Sequence, residues 1–524
     1  MKKKGILIAI IVLIIVLVLM GGAFAYIYFA TDMLKSDKEL FAKYALQMGD
    51  KENGFAPAIL AEYENKKNTI AYENNGNISV ITNILGDTTT DTEAQSLATL
   101  IDIANNTSVD FSGKVDKTNK KAQQNITVNY SDTVNDSINF RQDGDIYGLQ
   151  SDIISQSYVA VENNNLQEFA QKLGVTDISN IPNKIEINEF PKLNFTDEEI
   201  THIKEQYVLP AFDRFADEKF TKANNSDGST TYILSATNIE LRDTLVQILE
   251  TFKNDTMLLN KFNSYLQELV QAYGTNESEQ LEIKVEDIDE MITNLNEENI
   301  KETMVQISIT QKSGITNKVS ITTADLVFNI EKQQTESNLS YNVTIKGNEE
   351  TSATNETGVE ADSLVGPEVS EQPAISLNLN FSGLNTNSTT ESASLDISVE
   401  NKYETTYSYT NTLTFGNAIT FETFGEDTAI LNNYNGEQIT PFIMQISQII
   451  AQNNTNKMNQ IGFPAEYVNP LAIWIAHQNL LRNVNIMKSA EQSGEMYDEK
   501  AKEEQVMANE LIANTEYYIN ETIN

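Results

Sequence analysis

Cysteine is absent from the 524-residue sequence, and histidine is almost absent. Without cysteine the chain can form no disulfide framework, thiolate metal site, redox pair or cysteine nucleophile. The two histidines, His202 and His477, lie in helical patterns, and neither has a second histidine nearby. A place on a helix surface or in packing explains both, so we do not expect a zinc centre or a histidine-based triad.

Basic residues are also scarce. The chain has 36 Lys and Arg residues and 75 Asp and Glu residues, which gives a formal net charge of -39. A surface of this sign repels nucleic acid and anionic lipid headgroups, because both carry the same charge and release no counterions to an acidic partner. We therefore expect no nucleic-acid partner. The charge also keeps an exported domain soluble, so it does not by itself indicate a ligand.

Motifs of known chemistry are missing as well. The chain has no Gly-x-Ser-x-Gly elbow, Ser-x-x-Lys nucleophile motif, phosphate loop or dinucleotide fingerprint. Carboxylates are abundant, but nothing local marks a pair with the ~5–9.5 Å separation of a glycosidase site. We therefore predict no catalytic residue, no metal ligand and no cofactor, and we expect that the protein is not an enzyme.

The N-terminus carries the clearest positive signal. Three lysines precede an uncharged apolar run over residues 5–30. At about 1.5 Å rise per residue, this run is long enough to cross a ~30 Å hydrocarbon core with some tilt. By the positive-inside rule, residues 1–4 form a cytoplasmic tail and the rest of the chain is extracellular. The predicted membrane anchor comprises Lys2, Lys3, Lys4, Ile6, Leu7, Ile14, Leu17, Tyr26, Tyr28 and Phe29.

A cleaved signal peptide is the alternative interpretation of the same segment. Residues 23–25, Ala-Phe-Ala, have the small-x-small form of a cleavage site after an apolar stretch. Cleavage there would leave the aromatic residues from Tyr26 onward as a new apolar terminus. In an uncleaved anchor these aromatics lie at the outer membrane interface, where such residues are enriched. We therefore favour a single-pass anchor and leave cleavage open.

Periodicity predicts the organisation of the remaining chain. Residues 31–70 have helical spacing and are predicted to form a helical stalk or a docking helix pair. Strand patterns and then helical patterns follow in residues 71–280, and the same order recurs in 281–524, which predicts two sheet-plus-helix modules. Residues 348–373 are acidic, poor in apolar residues, and predicted to be a disordered loop. One continuous sheet is the alternative to two modules.

The strand patterns alternate strictly between apolar and polar residues. In the second half, for example, Ile307 and Ile309 are separated by a polar residue, as are Leu377 and Leu379. This period of two predicts antiparallel strands that bury one face. The predicted fold class is therefore α+β: one transmembrane helix, followed by a long antiparallel one-sided sheet or sheets curved around amphipathic helices.

The start of the chain resembles a known group of proteins. The opening Met-Lys-Lys-Lys with a single span, continuing into residues 32–41, is similar to uncharacterised N-terminally anchored surface proteins of Gram-positive, AT-rich bacteria. That resemblance implies anchoring and a bacterial surface location, with no activity attached. One-sided strands closing on amphipathic helices also resemble, at the level of fold alone, the half-barrels of bacterial lipoprotein carriers, which hold acyl chains.

Three functions remain open from the sequence. The leading hypothesis is a non-catalytic binding or scaffolding protein of the bacterial cell envelope, whose partner would be another envelope protein, a wall component or a lipid. The second is a carrier or sensor of a hydrophobic ligand held between sheet and helices, which predicts an apolar cavity. The third is an envelope hydrolase, which predicts paired carboxylates with a raised pKa in one of them.

Overall fold

The chain is described from a computed structural model. The described residues are 35–50, 54–84, 92–131, 134–151, 155–172, 183–184, 193, 195–273, 282–297, 301–348, 374–399, 403–416, 418–435, 438 and 456–462. Residues 1–34, with the predicted membrane anchor, lie outside this set, and so do residues 349–373 of the predicted disordered loop and His477. Within the described ranges, no helix combines the length and the apolar character that a membrane crossing requires.

The described residues form helices of both regular and irregular type. The α-helices are α1 (Asp37–Gln47), α2 (Ala58–Thr69), α3 (Thr92–Asn105), α4 (Leu166–Lys172), α5 (Asp197–Ile203), α6 (Leu209–Asp213), α7 (Asn238–Lys253), α8 (Thr256–Tyr273) and α9 (Val285–Glu297). A π-helical turn, Lys204–Val208, connects α5 to α6. Short 3-10 helices occupy Asp217–Lys219 and Leu431–Asn433.

The strands build a large and mainly antiparallel sheet, which confirms the predicted combination of an antiparallel sheet with several helices. They are β1 (Tyr72–Ile84), β2 (Ser108–Asp116), β3 (Lys121–Asn129), β4 (Asn135–Asp143), β5 (Ile146–Ser151), β6 (Ser155–Glu162), β7 (Phe220–Asn224), β8 (Thr230–Thr237), β9 (Met304–Lys312), β10 (Ile315–Thr322), β11 (Leu326–Gln334), β12 (Asn338–Gly347), β13 (Ala374–Ser382), β14 (Ser388–Val399), β15 (Tyr403–Phe415) and β16 (Ala429–Ile430).

Two compact units divide the chain. Unit 1 comprises Met1–Asn65, Ile187–Asn385 and Leu395–Glu400, and unit 2 comprises Lys66–Glu186, Thr386–Ser394 and Asn401–Asn524. These bounds differ from the predicted modules 71–280 and 281–524, because strand pairing joins segments that are far apart in sequence. In unit 2, β1 pairs with β15, so that Tyr72 lies opposite Phe415.

Unit 1 contains strands β7 to β13, which run in the order β13-β12-β11-β10-β9-β8-β7. Helix α1 packs on this sheet through Leu40, Phe41 and Tyr44, whose side chains are almost fully buried. The Phe41 ring meets the Phe212 ring edge to face, and Tyr44 stacks on Tyr232 of β8. Of the two predicted roles for this segment, stalk or docking helix, α1 therefore has the burial of a docked helix.

A second cluster in unit 1 is formed by helices alone. Leu245 and Leu249 of α7 pack with Leu259 of α8 and with Ile288 and Ile292 of α9. Apolar residues at helical spacing over residues 241–252 and 259–273 predict α7 and α8, whereas α9 was not predicted. The spacing of Ile288 and Ile292 is the i, i+4 repeat that puts both side chains on one helix face.

The sequence predicts one helix from Thr196 to about Phe220, with Thr196 as its N-cap and acidic residues in its first turn, and the structure divides this segment. Thr196 is the N-cap, as expected, since its hydroxyl accepts a hydrogen bond from the Glu199 backbone N–H. The α-helical ladder changes to the π-helical turn after Ile203, close to Pro210, which has no N–H to donate and whose ring crowds the preceding turn. Helix α6 then ends at Asp213, and Phe220 begins strand β7.

Unit 2 contains a sheet in the order β16-β6-β5-β4-β3-β2-β1-β15. The sequence Gln-Asp-Gly-Asp over residues 142–145 predicts a hairpin turn. The structure confirms it, because β4 pairs antiparallel with β5 and Gly144 adopts a positive φ of 62°. Residues 418–428 cross the polar face of this sheet. Lys114 and Gln123 donate to the backbone carbonyls of Thr420 and Glu422, which fastens the crossing segment to β2 and β3.

Candidate functional site

The residues that were predicted to have a specific role all belong to the membrane anchor. Lys2 to Lys4, the apolar span and its aromatic end lie outside the described residues, so their placement stays a prediction. The candidate surfaces and clusters described below were not singled out by sequence motifs. They follow from strand register and from buried polar side chains.

One face of the unit 2 sheet is apolar over several strands. Ile78 of β1 lies opposite Tyr409 of β15 and Val109 of β2, and this register continues across β3, β4 and β5. Paired residues in an antiparallel sheet point to the same side. This surface, called the apolar face below, comprises Ile78, Val80, Val109, Phe111, Ile126, Val128, Ile138, Phe140, Leu149, Tyr407 and Tyr409.

The apolar face is partly exposed. Ile78 is 44%, Leu149 43% and Tyr407 48% exposed. The charged residue in the same register, Asp136, is paired with Lys457. A continuous apolar surface that stays partly exposed marks an interaction site more often than isolated exposed residues do.

The opposite face of the same strands is polar and is covered by the segment 418–428. The Arg141 guanidinium lies over the Tyr158 ring at 4.5 Å and near the Phe424 ring at 5.8 Å. The same side chain donates to the Thr423 carbonyl and to the Glu422 carboxylate, both at 2.5 Å. Unit 2 therefore has one covered polar face and one partly exposed apolar face.

Glycine at position 76 shapes the apolar face. The Phe111 ring lies over Gly76 and stacks on Tyr409, with ring centres 6.1 Å apart and planes 13° apart. A Cβ atom at position 76 would overlap both the Phe111 ring and the Thr410 carbonyl. The close approach of this aromatic pair to the backbone therefore requires glycine at position 76.

A buried polar cluster lies beside this aromatic pair. The Lys67 Nζ of α2 donates to Glu391 Oε1 at 3.0 Å, and the Tyr409 hydroxyl donates to Glu391 Oε2 at 3.1 Å. Asn411 Nδ2 lies 3.4 Å from the same Oε2. Burial, together with the Glu391 carboxylate, raises the pKa of Tyr409 to about 12. We call Lys67, Glu391, Tyr409 and Asn411 the Glu391 cluster.

Asn411 has an unusual environment within the Glu391 cluster. Its side chain is 8% exposed, and its Oδ1 atom is buried without a hydrogen-bond partner among the described residues. The neighbouring Thr389 and Leu413 are also buried. A buried polar atom without a partner costs free energy and therefore requires an explanation.

The sequence carried a signal for the Glu391 cluster that the search for motifs missed. Asn411 lies in the odd-numbered series with Tyr407, Tyr409 and Leu413, and Glu391 precedes Leu395 and Ile397 in another odd-numbered series. Both are polar residues at positions where alternation predicts an apolar side chain. Such interruptions of the binary pattern predict a buried polar site.

His202 belongs to a second polar cluster, in unit 1. Its Nε2 lies 2.6 Å from Asp255 Oδ2, and the Tyr207 hydroxyl donates to the same oxygen at 2.8 Å. His202 and Tyr207 are five positions apart, which a regular α-helix would place on different sides. The i→i+5 spacing of the π-helical turn brings both to one carboxylate.

The environment of Asp255 favours its ionised form. Burial alone would raise the pKa of Asp255, but hydrogen bonds from His202, the Leu258 backbone N–H and Tyr207 outweigh it and lower that pKa. Burial and the Asp255 carboxylate raise the pKa of Tyr207 far above its usual range. The cluster thereby joins α5 and the π-helical turn to the first turn of α8.

An open pocket of about 420 Å³ lies on the solvent side of His202. It is lined by Glu198, Thr201, His202 and Glu205, all from α5 and the π-helical turn. All four lining residues have polar or charged side chains and none is hydrophobic, so the pocket differs from the apolar cavity that the carrier hypothesis predicts.

The carboxylates whose pKa shift is resolved do not have the raised pKa that the hydrolase hypothesis predicts. Those with resolved shifts all have lowered pKa values: Asp145, Glu199, Asp227, Glu240 and Asp255. Lysine partners account for most of these shifts, as with Lys261 beside Glu199. Among the described residues, no group of three or more His, Asp or Glu side chains has the arrangement of a metal site.

Comparison with known families gives one match. No curated protein matches the chain. A family of unknown function (DUF6583) matches residues 1–363, which is more than half of the 524 residues. The chain therefore belongs to this family, DUF6583.

Proposed function

We propose that the protein is a membrane-anchored, extracytoplasmic and non-catalytic binding or scaffolding protein of the bacterial cell envelope. The N-terminal span holds it in the cell membrane, with residues 1–4 in the cytoplasm and the remaining chain extracellular. The sheet curves around its amphipathic helices and presents the apolar face of unit 2 to a partner. The observation that carries this proposal is the partial exposure of Ile78 and Tyr407 on the adjacent strands β1 and β15, and of Leu149 on β5, on the same side of the sheet.

The chemistry of the apolar face supports a neutral, apolar partner surface. The charged residues beside it, Asp136 and Glu391, are already paired with Lys457 and Lys67. An ionic partner would therefore meet no counter-charge among Ile78, Val109 and their neighbours. Burial of apolar area is the main source of affinity for such a surface.

A hydrophobic ligand carrier is the second candidate, because the same apolar face could hold an acyl chain. Native mass spectrometry of the full chain in detergent distinguishes the two proposals. A stoichiometric lipid adduct that Ile78→Ser abolishes would favour the carrier. A mass without adduct would favour a protein or wall partner.

Ile81 offers a matched control for this experiment. It lies on β1 like Ile78 and is 51% exposed, but its side chain points to the opposite face of the sheet. Ile81→Ser should therefore leave any adduct unchanged. Equal losses in both variants would contradict the assignment of binding to the apolar face.

The absence of cysteine makes the predicted topology directly testable. Replacing the exposed Asn224 of β7 by cysteine gives the chain a single thiol. A membrane-impermeant maleimide should label this thiol in intact cells. The matched Lys3→Cys variant should be labelled only after lysis, and labelling of both variants in intact cells would refute the proposed orientation.

A further inference from the structure

The Glu391 cluster places an amine and a carboxamide on the same buried carboxylate. Lys67 Nζ lies 3.0 Å from Glu391 Oε1, and Asn411 Nδ2 lies 3.4 Å from Glu391 Oε2. The three residues come from different elements, α2, β14 and β15, so no local turn explains their meeting. The aromatic rings of Phe111 and Tyr409 and the buried Leu413 border the cluster.

The Lys67 and Glu391 side chains keep 23% and 12% of their accessible surface, and such partial burial changes the chemistry of a lysine–glutamate pair. Transfer of two charges from water into such a site is costly, and movement of one proton from the ammonium to the carboxylate removes both charges. The product is a neutral amine, which is the nucleophilic form of lysine, next to a carboxylic acid. The acid can then donate a hydrogen bond, which the carboxylate cannot.

The orphaned Oδ1 of Asn411 fits this neutral form. Rotation of the amide about its terminal bond exchanges Oδ1 with Nδ2, two atoms whose assignment rests on the hydrogen-bond network. Oδ1 then faces Glu391 Oε2, and a protonated Glu391 donates to it. The hydrogen bond gives the buried oxygen a partner, while Nδ2 takes the position that Oδ1 has in the structure. The same hydrogen bond withdraws electrons from the Asn411 Cγ carbon, which makes this carbon more electrophilic.

We propose that Lys67 and Asn411 form an intramolecular isopeptide bond, with Glu391 as the proton carrier. Lys67 Nζ attacks Asn411 Cγ, so the Nζ–Cγ bond forms and a tetrahedral intermediate results. In this intermediate, rotation about the Cβ–Cγ bond returns Nδ2 to the place it has in the structure, 3.4 Å from Glu391 Oε2. Glu391 then passes a proton to Nδ2, the Cγ–Nδ2 bond breaks, and ammonia leaves. Glu391 recovers the proton that Nζ releases, so the reaction needs no oxidant, reductant or other co-reactant.

The position of this bond suits a chain without disulfides. It would join α2 to β15 across most of the sequence, in a protein that has no cysteine for a covalent cross-link. Tyr409 holds the carboxylate from the other side through its hydroxyl group. The cross-link would therefore fix the C-terminal end of α2, which belongs to unit 2, to β15 of the same unit.

Peptide mass spectrometry of the folded full chain tests this proposal. The bond removes about 17 Da as ammonia and blocks trypsin at Lys67, because trypsin does not cleave after an acylated lysine. We expect one branched peptide that contains both Lys67 and Asn411, with fragment ions that place the linkage between them. Fragmentation is needed because loss of ammonia within a single peptide gives the same mass change.

Three variants complete the test. Lys66→Arg changes the adjacent lysine, whose Nζ donates to the Thr386 carbonyl, and should retain the branched peptide. Lys67→Arg and Glu391→Gln should both abolish it, the second because glutamine cannot carry the proton. Separate linear peptides with an intact Asn411 amide in the wild-type chain would overturn the proposal. A branched peptide in Glu391→Gln would overturn the role of Glu391.

Discussion

Lys332 provides a stability prediction with a definite sign. This residue of β11 is only 2% exposed, and its Nζ donates to the Gly54 carbonyl at 2.7 Å and to Gln334 Oε1 at 3.1 Å. Burial lowers the pKa of Lys332 from 10.5 to about 8, although the charge of Asp50 acts in the opposite direction. The folded protein therefore releases this proton at a lower pH than the unfolded chain does.

The direction of the effect follows from proton linkage. Between about pH 8 and pH 10.5, the unfolded state binds more protons at Lys332 than the folded state, so the free energy of unfolding rises with pH. At about 1.4 kcal/mol for each pKa unit, the full gain from Lys332 is about 3 kcal/mol. Below pH 8 both states hold the proton, and the contribution of Lys332 no longer changes.

Comparison with Lys332→Met isolates this contribution from other groups that titrate in the same range. The free energies of unfolding of the two proteins should be measured with urea at intervals from pH 7 to pH 10.5. We expect the wild type to gain about 3 kcal/mol relative to Lys332→Met over this interval. Lys346→Met, which removes an exposed lysine from neighbouring β12, controls for the altered net charge. Parallel pH profiles for the wild type and Lys332→Met would refute the reasoning.

Other substitutions test the remaining sites. Asp255→Asn should destabilise unit 1 by about 1–3 kcal/mol in thermal unfolding, because the charged acceptor for His202 and Tyr207 is lost. Since the folded pKa of Asp255 is lowered, the wild-type advantage should shrink as pH falls through the carboxylate range. Gly76→Val should cost at least about 1–3 kcal/mol, because the Phe111 ring must move, and near-ultraviolet circular dichroism should report the altered ring stack. Arg141→Gln should speed hydrogen exchange in residues 418–428 and leave α1 unchanged.

The sequence predicted those local features, such as strands, caps and turns, that a single local property of the backbone determines. Alternation in β9 and β13 identified strands and their apolar faces, because the period of two is a property of the extended backbone. The N-cap at Thr196 and the turn at Gly144 were predicted for the same reason. The pairing of β1 with β15 was not predictable, since any strand with the right alternation satisfies the same local pattern.

Irregular local geometry was harder to predict, because it depends on contacts distant in sequence. The helical pattern after Thr196 continues through His202 and Tyr207, and periodicity alone places no π-helical turn there. Asp255, which both side chains contact, lies about 50 positions later in the chain. The advantage of the widened turn therefore becomes apparent only when the position of Asp255 is known.

Polar residues at strand positions where alternation predicts an apolar side chain have a more general meaning for one-sided sheets. Lys332 and Glu391 both interrupt an alternating pattern on the buried side of a strand, and each is partnered by the helical segment at the start of the described chain. Lys332 donates to Gly54, between α1 and α2, and Glu391 accepts from Lys67 of α2. Because an unpartnered buried charge costs several kcal/mol, each interruption requires a partner from another element. Such interruptions therefore predict where a helix or loop docks on a sheet, even when pairing between strands cannot be predicted from the sequence.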